Sequence, residues 1–159
     1  MEFRVGNGYD VHALAVGETL WLGGIKIEHE KGTIAHSDGD VLIHAICDAL
    51  FGALALGDIG THFPDTDNQY KNIDSKILLK RSYDIIKDTG YQIVNIDTTI
   101  CAQRPKLKEH IPSMQQCLAG VLAIAPTRIS IKATTTEKLG FEGREEGISA
   151  YATLLLCKP

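Results

Sequence analysis

Alternating apolar and polar positions predict the strands of this chain, and apolar positions three or four residues apart predict its helices. Val94, Ile96, Thr98 and Ile100 alternate with polar neighbours, which is typical of a strand with one buried face. By alternation or by a nearly continuous apolar run, the main strands are predicted at 3–12, 94–102, 129–133 and 148–157. Because the last of these is apolar at almost every position, we expect it to be covered on both faces.

A helix is predicted from near Gly39 to near Gly57, over the longest apolar stretch of the chain. Ser37 or Asp38 is expected to be its N-cap, because a short side-chain oxygen can accept from the free amides of the first turn. With this start, His44 would lie in the second turn.

Two further helices and a hairpin complete the predicted elements. One helix would begin after the cap residue Asp74 and end at Gly90, where glycine suits a helix terminus. Another would carry Pro112 in its first turn. Gly23 and Gly24 separate two short apolar runs, which indicates a two-residue hairpin turn.

The predicted fold class is therefore α+β, in a single domain spanning residues 1–159. We expect a two-layer sandwich: a mixed β-sheet of about four main strands, with helices packed on one face, plus a small hairpin.

The amino-acid composition excludes some classes of function. The chain has 159 residues, 44% of them hydrophobic and 23% charged, which is ordinary for a globular protein. A net charge of −4 argues against a nucleic-acid partner, which usually requires a basic surface. Four scattered cysteines without a C-x-x-C pair, and no apolar run near the ~20 residues of a membrane span, favour a cytoplasmic location. The stroma of a plastid is the alternative if a transit peptide was removed.

The strongest candidate for chemistry is a metal site. In a strand, Asp10 and His12 point to the same face, and His44 on the first helix could join them. Two imidazoles and one carboxylate suit a catalytic zinc, which keeps one open coordination position. Asp40 and Asp48, four residues to either side of His44, are expected to orient its ring. The alternative is a structural Asp-x-His at a sheet edge and an unrelated core histidine.

Two other polar clusters each allow two interpretations. Residues 134–137, Thr-Thr-Thr-Glu, follow a strand and could hold phosphate oxygens, with Glu137 binding a cation such as Mg²⁺; they could equally cap a short turn. Arg104, Lys106 and Lys108 could bind a ligand at a strand end or form a solvated edge. A Walker A phosphate-binding loop is absent from the sequence.

A surface loop is predicted over residues 57–72, which show no apolar periodicity and contain Gly, Pro, Asp and Asn. Loops of this length often serve a function. Asp65 and Asp67 look like the start of a calcium loop, but the glycine and terminal glutamate of an EF-hand are missing. Their default interpretation is solvated loop acids.

Seven motifs, taken in order along the whole chain, resemble the 2-C-methyl-D-erythritol 2,4-cyclodiphosphate synthases of the non-mevalonate isoprenoid pathway. The matching stretches are residues 8–12, 35–40 with His44, 57–60, 63–67, 102–103 with 105–106, 133–141, and 143–144 with 146–147. The departures from the family pattern are small: Asn7 stands where His is common, and Tyr9 where Phe is frequent.

The resemblance implies a cyclising, CMP-releasing phosphorus–oxygen lyase. Its substrate would be 4-diphosphocytidyl-2-C-methyl-D-erythritol 2-phosphate. The 2-phosphate attacks the β-phosphorus, CMP leaves, and 2-C-methyl-D-erythritol 2,4-cyclodiphosphate forms. Such a reaction needs positioning and charge stabilisation more than a general base, because the attacking phosphate is already anionic.

The resemblance also implies roles for individual residues. Asp10, His12 and His44 would bind one Zn²⁺ per active site, and Glu137 a second divalent ion, Mg²⁺ or Mn²⁺. His36 and Thr135 would stabilise the transition state. The implied substrate contacts are Ser37, Asp58, Ile59, Gly60, Phe63, Pro64, Asp65, Thr66, Asp67, Ala102, Gln103, Arg104, Pro105, Lys106, Leu107, Lys108, Thr134, Thr136, Phe141 and Arg144.

Members of the family are homotrimers with active sites between subunits, so the resemblance implies the same assembly here. Phe141, Arg144 and Tyr9 correspond to positions near the threefold axis, where an isoprenoid diphosphate can bind. Two other functions compete with the synthase. One is a non-catalytic trimeric module that binds an isoprenoid diphosphate, and the other is a metal-dependent phosphohydrolase.

Overall fold

The chain forms seven strands and five α-helices in this computed structural model, which describes residues 1–159. In chain order they are β1 (Glu2–Val16), β2 (Leu20–Leu22), β3 (Ile25–Ile27), β4 (Lys31–Thr33), α1 (Val41–Ala53), α2 (Ile59–His62), α3 (Ser75–Asp88), β5 (Gln92–Cys101), α4 (Ile111–Leu122), β6 (Ile129–Thr134), α5 (Gly140–Gly143) and β7 (Gly147–Lys158). Single-turn 3₁₀ helices lie at Asn68–Tyr70 and Pro126–Arg128.

The main sheet has the strand order β4-β1-β7-β5-β6, and β2 and β3 form a separate hairpin. The pair β5–β6 is parallel, whereas β1–β4, β1–β7 and β5–β7 are antiparallel. This confirms the predicted α+β class with a mixed sheet of four long strands and a hairpin. The short strand β4 is the one sheet strand that the apolar pattern did not predict, because three residues are too few to show alternation.

Helix α1 lies directly on strand β1. A Cβ atom added to Gly6 or Gly8 would come closer than 3.0 Å to the carbonyl oxygens of Ala49 and Ala45, respectively. The two elements can therefore approach this closely only because both strand positions lack a side chain. The contact brings residues 10–12, at the next step along β1, to the first turn of α1.

The N-cap of α1 is Asp40, so the prediction of Ser37 or Asp38 as the cap was wrong. Asp40 is fully buried and accepts hydrogen bonds from the amides of Ile43, Gly23 and Gly24, at 3.0, 3.0 and 2.7 Å. One carboxylate thus caps the helix and holds the hairpin turn against it, which a residue nearer the surface could not do.

Helix α1 is also shorter than predicted. It begins at Val41 and ends at Ala53, rather than running from near Gly39 to near Gly57. Consequently His44 is its fourth residue. The other two predicted helices are present: α3 follows the N-cap Asp74 but ends at Asp88, two residues before the predicted Gly90, and α4 has Pro112 in its first turn.

Strand β7 is not covered on both faces, contrary to the prediction. Its even-numbered positions from Ile148 to Leu156 are buried, whereas Tyr151 and Thr153 point to the open face and are exposed. The helices cover only one face of the sheet, and Phe3, Val5 and Val11 of β1 are exposed on the other face, beside Tyr151 and Thr153.

None of the helices is both long and apolar enough to cross a membrane.

We predict that Gly8→Ala destabilises the fold by at least about 2 kcal/mol, because the added Cβ forces β1 away from the Ala45 carbonyl. Gly120→Ala is the matched control: nothing lies within 4 Å of its added Cβ, and alanine in a helix is favoured over glycine by about 1 kcal/mol. Urea unfolding of both variants tests this. A Gly8→Ala protein as stable as the unaltered chain would show that the close contact does not hold β1 in place.

Candidate metal site and nucleotide cleft

Asp10, His12 and His44 converge on one point, as the strand and helix pattern predicted. Asp10 Oδ2 lies 3.0 Å from His12 Nε2 and 3.1 Å from His44 Nδ1. The two imidazole nitrogens are 3.1 Å apart. In a tetrahedral site with metal–ligand bonds of about 2.0–2.1 Å, ligand atoms are about 3.3 Å apart, so this triangle fits a divalent metal. The ligand atoms of these three side chains lie close enough together to hold one metal ion.

The charges of the three side chains are coupled. Burial opposes ionisation of Asp10, but hydrogen bonds from His12 and His44 outweigh it and lower the pKa of the carboxyl to about 2. For His44, burial favours the neutral ring, yet the contact with Asp10 raises the pKa of the imidazole above its ordinary 6.5. The site therefore holds a carboxylate beside protonatable imidazoles, and a cation can replace those protons.

Asp40 and Asp48 do not orient His44, so that prediction was wrong. Asp40 is occupied by the three backbone amides described above, and Asp48 Oδ1 accepts from the amide of Ile59 at 2.7 Å. The ring is held instead by Ser75 Oγ, 2.9 Å from His44 Nε2, and by Ser37 Oγ at 3.2 Å. Sequence reasoning missed Ser75, which is 31 positions from His44 and shares no element with it.

A cleft of about 300 Å³ opens over the three side chains of this triangle. Its wall brings together predicted site residues from β1, α1, α2 and the loops around them. Ala35, Tyr70, Ile73 and Leu78 also line it and were not predicted. The predicted site residues in this wall are Asp10, His12, His36, Ser37, His44, Ile59, Gly60, Phe63 and Asp65.

Acidic side chains fix the backbone beside this cleft by accepting hydrogen bonds from amides. Asp58 caps α2 by accepting from the amide of Thr61 at 2.8 Å. Asp67 accepts from the amide of Gln69 at 3.0 Å, and its own carbonyl lies 3.1 Å from His36 Nε2. Residues 58–67 are thus an ordered segment containing α2, rather than the irregular loop that the sequence indicated.

A second cleft, of about 290 Å³, lies at the ends of β5 and β6. It brings together most of the predicted nucleotide-binding residues and two lysines. Those in its wall are Ala102, Gln103, Pro105, Lys106, Leu107, Lys108, Thr134 and Thr135, with Ile111 and Ala133.

Several predicted site residues line neither cleft: Asp58, Pro64, Thr66, Asp67, Arg104, Thr136, Glu137, Phe141 and Arg144. Two of them are engaged elsewhere in this chain. Arg104 pairs with Glu30 at 3.1 Å, and Arg144 pairs with Glu146 at 2.8 Å. Glu137 is exposed, and its backbone amide donates to Thr135 Oγ1 at 3.3 Å.

The two clefts lie at the same level along the strands of the sheet. Through β7, Val11 of β1 and Cys101 of β5 are both paired with Ser149, and Thr134 is paired with Cys101. Strands are spaced by about 4.8 Å, so three steps place the aligned positions of β1 and β6 roughly 14 Å apart. Within one chain they are two distinct depressions.

The sequence pattern of the YgbB family matches residues 3–157 of this chain. The chain belongs to the YgbB family. Among curated relatives, the 2-C-methyl-D-erythritol 2,4-cyclodiphosphate synthase of Bacteroides fragilis is 68% identical over 156 residues, which cover 98% of each chain.

Solved structures of relatives agree with the YgbB assignment. The bifunctional IspDF from Campylobacter jejuni is 47% identical with a TM-score of 0.94; the match covers 98% of this chain and 42% of that one. IspF from Plasmodium falciparum, solved as a CDP complex, is 37% identical with a TM-score of 0.87, covering 98% and 96% of the two chains. The family resemblance drawn from the motifs is therefore confirmed.

We predict that Zn²⁺ affinity rises with pH and levels off only above pH 6.5, because binding removes a proton from His44, whose pKa is raised above that value. Below the pKa, loss of one proton gives about a tenfold rise per pH unit. Chelator-competition titrations from about pH 5 to about pH 9 measure this dependence. His110→Gln, outside both clefts, is the control with an unchanged profile. An affinity that is already constant at pH 6.5 would contradict the assignment of His44 as a ligand.

Proposed function

We propose that this chain converts 4-diphosphocytidyl-2-C-methyl-D-erythritol 2-phosphate to 2-C-methyl-D-erythritol 2,4-cyclodiphosphate and CMP. The observation that carries the proposal is the triangle of Asp10, His12 and His44 beside a cleft, in a chain 68% identical to a named synthase. The enzyme would be a phosphorus–oxygen lyase, since one P–O bond is exchanged for another within a single substrate.

Zinc is the metal we propose for the triangle, because two imidazole nitrogens and one carboxylate oxygen leave a tetrahedral ion with one open position. Once bound there, it supplies Lewis-acid stabilisation of phosphate oxygens. Glu137 is proposed to bind a second divalent ion, Mg²⁺ or Mn²⁺, which prefer oxygen ligands. Its exposure leaves the carboxylate accessible to an ion carried by a diphosphate.

The side chains around the metal cleft are proposed to position the attacking phosphate. His36 is fixed at the cleft by its contact with the Asp67 carbonyl, so its ring has a defined direction toward the substrate. Ser37 is also in the wall, where its hydroxyl can contact a phosphate or a diol. The amide of Ile59 donates to Asp48 and the amide of Thr61 donates to Asp58, which fixes the turn that holds Ile59 and Gly60 in the cleft wall. Gly60 is proposed to present its backbone to substrate hydroxyls.

The nucleotide is proposed to bind in the second cleft. Lys106 and Lys108 offset the negative charge of the diphosphate, and backbone groups of residues 102–107 can read the cytosine edge. Thr135, in the same wall, is proposed to donate its hydroxyl to the phosphates in the transition state. The CDP complex of the Plasmodium falciparum relative supports a cytidine nucleotide as the ligand.

In the reaction, an oxygen of the 2-phosphate forms a bond to the β-phosphorus while the bond from that phosphorus to the α-phosphate oxygen breaks. CMP leaves with the electron pair of that bond. Because the nucleophile is anionic at neutral pH, the protein needs no general base. Its main work is to hold two negative groups in line and to offset their repulsion.

A homotrimer is proposed because each chain carries the two parts of the site as separate clefts. The uncovered sheet face supports an interface: Val5, Tyr9 and Tyr151 are 67%, 43% and 47% exposed, and the two tyrosine rings lie 4.9 Å apart. In such an assembly, Phe141 and Arg144 would lie near the axis, where an isoprenoid diphosphate is proposed to bind.

The activity is tested by incubating the protein with the cytidylyl substrate, Zn²⁺ and Mg²⁺, and following phosphorus by NMR. We expect CMP and the cyclic diphosphate in equal amounts, and no cyclic product from His44→Ala, while His110→Ala stays active. Linear phosphate products would instead indicate a phosphohydrolase. No turnover by the metal-loaded protein would leave a non-catalytic binding module.

We also predict that Tyr151→Arg disrupts the trimer, because it places a charge on the uncovered apolar face. Light scattering should give about 52 kDa for the unaltered protein, three times the 17.3 kDa chain, and a smaller mass for the variant. Ile77→Arg, on the exposed side of α3, is the matched control and should remain trimeric. A monomeric unaltered protein would contradict the assembly.

A further inference from the structure

A chain of buried polar groups continues from His44 away from the metal cleft. Ser75 is fully buried and is the first residue of α3; its Oγ lies 2.9 Å from His44 Nε2. On its other side, Ser75 Oγ donates to Asp38 Oδ1, and the Ser75 amide donates to Asp38 Oδ2 at 2.8 Å. His44, Ser75 and Asp38 therefore form one continuous hydrogen-bonded series.

The direction of these hydrogen bonds follows from the number of protons. A serine hydroxyl has one proton, and a carboxylate only accepts, so the proton of Ser75 points to Asp38. Ser75 Oγ can then only accept from His44, so their 2.9 Å contact is a hydrogen bond when His44 donates Nε2–H. Ser37 Oγ lies farther from the same nitrogen, at 3.2 Å, and can also accept from it. A neutral ring that donates from Nε2 carries its lone pair on Nδ1, the atom that faces Asp10 and His12. Without a metal, Nδ1–H can instead donate to Asp10 Oδ2, 3.1 Å away, so the Nε2–H form is expected when a cation occupies the triangle.

Asp38 is itself held in place. Besides the two bonds to Ser75, it accepts from the amide of Asp40 at 3.1 Å, and its own amide donates to the Ile73 carbonyl at 3.1 Å. The carboxylate is thus tied both to the start of α1 and to the start of α3. It can hold the Ser75 hydroxyl in a single orientation.

We infer that Asp38 and Ser75 are positioning residues that keep the proton of His44 on Nε2 and thereby present Nδ1 as the metal ligand. Neither residue touches the metal position; both act through His44. The inference rests on the proposed function only in taking the triangle as a zinc site. Outer partners of this kind typically change metal affinity by 10–100-fold when removed.

The first test reads the proton position directly. Long-range ¹H–¹⁵N NMR of the Zn²⁺-loaded protein shows which nitrogen of the His44 ring carries the proton and which binds the metal. We expect His44 to be the Nε2–H form in the unaltered protein. Finding the Nδ1–H form would overturn the inference without any variant being made.

The second test measures Zn²⁺ affinity by chelator competition. Ser75→Ala should weaken binding about 10–100-fold and move part of His44 to the other tautomer. Ser75→Thr, which keeps a hydroxyl, should restore most of the affinity. Ser82→Ala is the matched control: Ser82 is also fully buried on α3, but its hydroxyl donates only to the Leu78 carbonyl, so binding should be unchanged.

These results separate the inference from the proposed function, because neither measurement requires turnover. A Ser75→Ala protein that binds Zn²⁺ as tightly as the unaltered chain overturns the positioning role alone. A loss of affinity with Ser75→Ala in a protein that makes no cyclic product supports the positioning role and contradicts the synthase activity.

Discussion

The close contact between β1 and α1 determines where the metal ligands meet. Two steps along a strand cover about 6.6 Å, and four residues of a helix about 6.0 Å, so equivalent positions stay nearly in register. The glycine face of β1 follows the carbonyls of Ala49 and Ala45 in this way. The next strand position is Asp10, followed by His12, and the helix there presents His44.

Around this contact, the carboxylates divide into two groups by what they bind. Asp38, Asp40 and Asp48 each accept from backbone amides and so hold helix ends and turns in place. Asp10 has no such amide partner among its side-chain contacts and faces the two imidazoles instead. The acids that fix the fold are therefore distinct from the one that is available to a cation, although they lie close together in sequence.

Much of this could be predicted from the sequence, since alternation locates the long strands and the period of two places Asp10 and His12 on one face. The predictions failed where contacts between distant elements determine the role of a residue. Asp40 rather than Ser37 or Asp38 caps α1, because the buried hairpin turn also needs an acceptor there. Ser75 could not be found by spacing, because α3 brings it to His44 from a distant part of the chain.

Strand β7 shows a second limit of predicting burial from the apolar pattern of a sequence. Its apolar run indicated cover on both faces, but the chain itself supplies helices for only one. An apolar outer face such as that around Tyr151 is explained equally well by burial within a chain and by burial between chains. A sequence pattern indicates that a surface is buried from water, but it does not indicate whether the same chain or a second subunit covers that surface.

The most direct test of the metal site is anomalous X-ray diffraction at the zinc absorption edge, from crystals grown with Zn²⁺. We expect one strong peak per chain, about 2.0–2.1 Å from Asp10 Oδ2, His12 Nε2 and His44 Nδ1. A peak bound elsewhere, or no peak between these three atoms in zinc-saturated crystals, would contradict the assignment of this site.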